Sequence, residues 1–185
     1  MSHKEQLDFV CQVKNIYPNY FLNKSVVEIG SLNINGSVRP FFLNCVYIGV
    51  DVAAGPGVDV VSFGSEYKMD NSFDVVISCE CFEHDPFWKD TFSNMIDLCK
   101  PGGLIVFSCA TTGRKIHGTP SQEPQSSPLT VNLGWDYYKN LTKEDFENTF
   151  ELHNIFSSFT FSENRDVYDL YFYGIKNLST SKELL

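Results

Sequence analysis

An α/β fold built on a mostly parallel sheet is what this 185-residue sequence predicts, and three features carry the prediction. Short apolar, β-branched runs recur along the chain, several of them end at a glycine or an acid, and segments with helical spacing stand between some of them. Near-continuous apolar runs of about four to six residues read as strands buried on both faces, the condition of a parallel sheet covered by helices. Composition agrees: hydrophobic residues make up 43% and charged residues 20%, too apolar for a disordered chain. The length suits one hydrophobic core, so a single domain over residues 1–185 is expected.

The elements follow in order. Strands are expected at 26–30, 46–51, 58–61, 73–78 and 104–108. Residues 3–16 carry an amphipathic pattern through Leu7, Val10, Cys11 and Val13. Ser37 is a candidate cap for a short helix through Cys45, with Pro40 tolerated in its first turn. Pro86 opens a helix to Cys99 whose apolar residues Phe87, Trp88, Phe92, Met95 and Ile96 recur at three and four, and Lys100-Pro101-Gly102-Gly103 stops it. Residues 62–72 are too short and polar for a helix. Thr142 and Asp145 form a capping-box variant for a helix at 143–149. Two aromatic strands, 151–161 and 168–175, should pair antiparallel across a short turn, and the last eight or so residues read as a frayed end. Residues 111–141, rich in Gly, Ser, Thr, Pro and Gln, read as a long binding loop in which Trp135, Tyr137 and Tyr138 can close over a substrate.

The net charge of -9 argues against nucleic-acid binding, since phosphate backbones are repelled and no Lys/Arg run offsets the field. No apolar stretch reaches the roughly 20 residues of a membrane span, and the first ten residues carry no secretory h-region. A cytoplasmic, reducing location is therefore expected, with the six cysteines as free thiols. Cys79-x-Cys81-x-x-His84 contains ligand types, but no fourth ligand lies in sequence range and buried thiols are common, so no metal is expected.

The first strand ends at Gly30, where the backbone can turn sharply beside a ligand, and the second ends at Asp51, 21 residues later. That spacing suits a carboxylate accepting hydrogen bonds from ribose hydroxyls at the carboxyl ends of parallel strands. A hairpin turn at Asn35-Gly36 is the competing reading, against which Ser37 and Pro40 favour a helix. A dinucleotide fingerprint would need a second glycine where Leu32 stands, which disfavours a nicotinamide-dependent oxidoreductase. S-adenosyl-L-methionine has no phosphate to accommodate, and its positive groups tolerate acids such as Glu28.

Val-Val-Glu-Ile-Gly at 26–30, Tyr-Ile-Gly-Val-Asp at 47–51, Phe-Asp-Val-Val-Ile-Ser-Cys-Glu-Cys-Phe-Glu-His at 73–84 and Leu-Cys-Lys-Pro-Gly-Gly-Leu-Ile-Val-Phe at 98–107 together resemble class I S-adenosylmethionine-dependent methyltransferases, in particular the group labelled methyltransferase type 11. The resemblance spans 26–109. It departs from the usual Gly-x-Gly-x-Gly at Gly30-Ser31-Leu32-Asn33-Ile34. Asn35-Gly36-Ser37, together with Gly-Arg-x-x-His-Gly-Thr at 113–119, resembles a variant of unassigned bacterial and phage-like members. The resemblance implies a three-layer Rossmann-like fold with a seven-stranded sheet, one strand antiparallel. It also implies S-adenosyl-L-methionine as cofactor: Glu28, Gly30 and Ser31 at the methionine part, Asp51 at the ribose, Val52 beside the adenine with Phe63 flanking it, and Cys79 and Glu80 passing the sulfonium.

Glu83-His84-Asp85 is either an acid/base set, with His84 the titrating group, or a structural loop whose Asp85 caps the following helix. His117 and Arg114, with Lys115, form a local positive cluster beyond the fifth strand, suited to a proton transfer or to an anionic acceptor, or else solvated at the surface. The expected function is methyl transfer by in-line displacement to a small-molecule acceptor, with no nucleic-acid or membrane partner. The alternative is a non-catalytic cofactor-binding or interaction module on the same fold.

Overall fold

Residues 3–178 are described by the computed structural model, so the frayed end expected at the C-terminus lies outside the described residues. Seven strands form one sheet: β1 (Ser25–Ile29), β2 (Val46–Asp51), β3 (Val60–Val61), β4 (Phe73–Cys79), β5 (Cys99–Ala110), β6 (Phe156–Asn164) and β7 (Asp169–Lys176). Their order is β3-β2-β1-β4-β5-β7-β6, and β7 alone runs against its neighbours. The mostly parallel seven-stranded sheet with one antiparallel strand is thus as expected.

Burial on both faces explains the apolar runs. Val26, Val75, Ile77, Leu104 and Val106 face one layer, made by α1 (Lys4–Ile16) through Phe9, Val10 and Val13, and by Phe21, Phe42 and Tyr171. Val27, Val76, Ile105 and Phe107 face the other, made by α2 (Trp88–Leu98), α3 (Lys143–Glu147) and α4 (Leu152–Ile155). Phe107 is the hub of that second layer, with ring centroids 5.1 Å from Phe82, 4.6 Å from Phe146 and 4.9 Å from Phe172.

Some boundaries differ, each for a local reason. The capping box at Thr142 forms as expected, with Thr142 Oγ1 accepting from the Asp145 N–H and Asp145 Oδ2 accepting from the Thr142 N–H. The helix expected from Ser37 to Cys45 is a single 3₁₀ turn at Arg39–Phe41. Pro40 supplies no donor, and Phe42 leaves helical geometry to stack on Phe21 at 4.5 Å. Residues 62–72 are held as a loop by α2, where Asn94 Nδ2 donates to the carbonyls of Gly64 and Tyr67, both at 2.7 Å. Residues 152–155, expected as strand, form α4 instead, and β6 begins at Phe156.

Phe107→Ala should lower stability by about 3–5 kcal/mol, because the cavity opens among aromatic rings that cannot collapse around it. The urea midpoint checks this; a loss under about 1 kcal/mol would mean the hub is dispensable.

Candidate functional site

The carboxyl ends of β1, β2 and β4 lie on one edge, and their loops enclose a cleft of about 960 Å³ open to solvent. Gly30 leaves β1 at a φ of +78°, and a Cβ there would lie 2.6 Å from Cys81 Sγ, so only glycine lets the loops after β1 and β4 meet. The Gly30 and Ser31 N–H groups both donate to the Val50 carbonyl, at 2.9 and 3.2 Å. Asp51 then ties the two loops together: Oδ2 accepts from the Leu32 N–H at 2.9 Å and Oδ1 from the Val52 N–H at 2.8 Å. Burial pushes its carboxyl above the usual value in spite of these donors, and each oxygen keeps acceptor capacity. Leu32, in place of a second glycine, packs on Gly55, where a Cβ would lie 2.3 Å from Leu32 Cδ1.

Glu28, Gly30, Ser31, Asp51, Val52, Phe63, Cys79, Glu80 and His84 all line the cleft. So do Gln6 and Thr91, which sequence reasoning missed, and residues 126–130, which belong to the expected binding loop. A signal existed for Gln6 alone: it is a polar residue on the helical stripe shared with Val10 and Val13, and the structure buries it fully. Trp135 closes one end, its ring 5.9 Å from Phe63 at 15° and 5.9 Å from Phe87 at 71°.

A family profile described as "Methyltransferase domain" matches residues 18–161. The chain belongs to this methyltransferase family. No match was found among curated proteins by sequence. Solved structures of similar fold include phosphoethanolamine N-methyltransferase 2 of Haemonchus contortus, bound to phosphomonomethylethanolamine and S-adenosylhomocysteine, at TM-score 0.64 and 15% identity over 92% of this chain. This chain spans 52% of that enzyme, about half its length. The 1,6-didemethyltoxoflavin-N1-methyltransferase of Burkholderia thailandensis, bound to its substrate and S-adenosylhomocysteine, matches at TM-score 0.63 and 12% identity, over 93% of this chain and 78% of its own. The YcgJ protein of Bacillus subtilis matches at TM-score 0.59 and 10% identity, over 95% and 99%. Among the described residues no helix is long and apolar enough to cross a membrane.

Within this methyltransferase domain the buried acids meet different fates. Glu28 accepts from the Tyr47 hydroxyl at 2.8 Å, yet burial pushes its carboxyl up to about 7. Glu80 sits just past β4 with φ +52°, a conformation rare outside glycine, at the wall of the cleft. Its Oε1 accepts from the Ser108 hydroxyl at 2.8 Å and its Oε2 lies 3.8 Å from His3 Nε2. Burial opposes its charge, but the His3 cation wins and holds the carboxyl below the usual range. His3 also bonds Asp169 Oδ2 at 2.9 Å. Burial opposes the imidazolium, but these two acids raise its pKa to about 10. Its Nδ1 faces the Glu5 carboxylate at 3.2 Å.

Arg114 and His117 do not line the cleft. They border a second cleft with His3, Lys115 and Glu123. Arg114 is drawn there by a half-buried and a buried acceptor: its Nη1 donates to the Val167 carbonyl and to Asp169 Oδ1, the latter at 3.2 Å. Asp85 is structural but not the expected cap: the helix begins at Trp88 with Phe87 at its N-cap, and Asp85 accepts from the Phe87 N–H at 2.8 Å and the Thr91 hydroxyl at 2.6 Å. His84 is kept neutral by burial and by the neighbouring His117, its pKa lowered to about 3, which makes it a poor base.

Removing the His3 cation leaves the buried Glu80 without a cation, while Asp169 keeps Arg114, so His3→Ala should cost about 1–3 kcal/mol, discounted for the part of His3 that water screens. The His3 pKa is raised from 6.5 to about 10 in the fold, so its contribution is complete below pH 6.5 and lost as pH rises through 10. Thermal unfolding from pH 5 to 10 is expected to show a deficit that shrinks toward the alkaline end. A deficit that grew with pH would contradict the pairing.

Proposed function

We propose that this domain binds S-adenosyl-L-methionine in the cleft and transfers its methyl group to a small-molecule acceptor. The observation that carries this reading is Asp51: a buried carboxylate at the end of β2, held by two backbone donors, with acceptor capacity left for a pair of hydroxyls. The rest of the lining fits the same molecule. Phe63 and Trp135, stacked at 5.9 Å, offer flat apolar surface beside Val52 for an adenine. Ser31 Oγ, buried and making no hydrogen bond within the protein, stands with Glu28 and Gly30 at the methionine end. Glu80, charged through its pairing with His3, lies beside Cys79 where a sulfonium would pass.

Bound there, S-adenosyl-L-methionine supplies an electrophilic methyl group on a cationic sulfur. The chain's share of the chemistry is to hold and align. Asp51 anchors one end and the backbone turn at Gly30 the other, which converts an encounter into an in-line geometry worth orders of magnitude in rate. Trp135, between Phe63 and Phe87, keeps water from that end of the cleft. Residues 126–130 bring the segment expected to serve as substrate loop to the same cleft, and the neighbours' small-molecule substrates support an acceptor of that class.

Each charge-assisted bond lost from a buried carboxylate costs about 1.5–3 kcal/mol. Asp51→Ala should therefore weaken S-adenosyl-L-methionine binding by at least about tenfold while the fold survives. Calorimetry giving an unchanged affinity would remove the assignment. Incubation of the parent protein with S-adenosyl-L-methionine and pooled small acceptors should yield S-adenosylhomocysteine above the acceptor-free rate. Tight binding with no turnover on any pool would favour the non-catalytic module.

A further inference from the structure

We infer that Glu83, His84 and His117 form a binding site for a divalent transition-metal ion, open on its remaining positions to an oxygen ligand. The three side chains are 0%, 4% and 7% exposed, and one ligand atom from each lies within 4.8 Å of the others. They come from two chain segments. Glu83 and His84 occupy the 3₁₀ turn after β4, and His117 arrives on the loop that follows β5. The imidazole rings meet edge to face at 4.9 Å and 84°, and both pack on Tyr138, at 5.5 and 5.0 Å.

The decisive observation is what these groups lack. Both oxygens of Glu83, both nitrogens of His84, Nε2 of His117 and the Tyr138 hydroxyl are buried and make no hydrogen bond within the protein; Glu83 has only the weak approach of its own backbone N–H. Burying such an atom unpaired is costly and native proteins hold few of them, so six on four neighbouring side chains mark a place built for a ligand.

The ligand's chemistry follows from the donors. His117 Nδ1 lies 3.0 Å from the Lys115 carbonyl, which fixes the proton there and leaves Nε2 with a lone pair, the usual support for a metal-binding imidazole. Burial keeps His84 in the neutral form that coordinates. Two imidazoles and one carboxylate suit zinc, manganese or ferrous iron and leave coordination positions free. Gly118, at φ +63°, permits the approach: a Cβ there would stand 2.6 Å from His84 Cε1. The absence of metal expected from Cys79-x-Cys81-x-x-His84 concerned the wrong partners, because Cys81 Sγ packs against Gly30 while His84 turns to His117.

His84 and Ser126 line the cofactor cleft, and His117 and Ser126 the second one, so the cluster stands in the wall between them. An ion there lowers the pKa of a hydroxyl bound to it. The acceptor class this favours is an oxygen nucleophile: the hydroxyl proton leaves to solvent, the O–CH₃ bond forms as the S–CH₃ bond breaks, and the electron pair stays on sulfur. This acceptor class rests on the methyltransferase reading; the metal site does not.

The test is titration of the full chain, stripped with a chelator, with Co²⁺ followed by its visible bands, and competition with Zn²⁺. One ion per chain with nitrogen and oxygen donors is expected. Glu83→Gln and His117→Ala should each weaken binding by at least about tenfold, with His117→Gln as the variant closest in size should the alanine not fold. The double variant Cys79→Ser/Cys81→Ser should bind as the parent does. No stoichiometric binding by the parent, undiminished binding by the Glu83 and His117 variants, or loss of binding in the cysteine variant would each overturn the site. Acetohydroxamate, a bidentate oxygen ligand, should shift the Co²⁺ bands; unchanged bands would mean a closed ion and overturn the acceptor class. The titration needs no S-adenosyl-L-methionine, so failure of the methyltransferase reading leaves its outcome intact.

Discussion

Parallel pairing of β1 with β2 on one side and β4 on the other is the constraint on which the site depends. It brings three carboxyl ends to one edge and sends the chain away from β1 in opposite directions, so a crevice opens between the departing loops. The Gly30 turn meeting Cys81, and Asp51 bonding back to Leu32, then hold that crevice in shape. Because β4 and β5 are buried on both faces, the sheet cannot slip to relieve strain at its edge.

An acidic chain has placed several acids out of water around this edge, and the ways it tolerates them divide the site. Glu80 and Asp169 share cations from His3 and Arg114. Asp51 and Asp85 rest on backbone and hydroxyl donors. Glu83 finds no such partner, and burial raises its pKa. A fold selected for stability alone would not leave that carboxyl beside two imidazoles; the cost is the mark of a ligand.

Patterns that act over a few residues were readable in the chain. The strands at 46–51 and 73–78, the amphipathic α1 and the Thr142 capping box depend on period and on local donors, and the structure follows them closely. The helix expected after Ser37 failed because a distant ring, Phe21, claimed Phe42. Gln6 entered the cleft because α1 packs on the sheet; its place on the stripe of Val10 and Val13 marks it for burial, but not the cleft it lines.

By itself, then, the sequence determined the sheet, its carboxyl-edge loops and the residues that end them, since burial on two faces demands apolar runs and sharp exits demand glycine. What only the tertiary structure decided is where the charged and ligating side chains point. Arg114 and His117 are neighbours in a short basic stretch, yet Arg114 turns to Asp169, 55 residues away, and His117 turns to His84. The reason is physical: a buried charge or lone pair is placed by the partner that offsets its desolvation, and that partner is fixed by packing rather than by spacing along the chain.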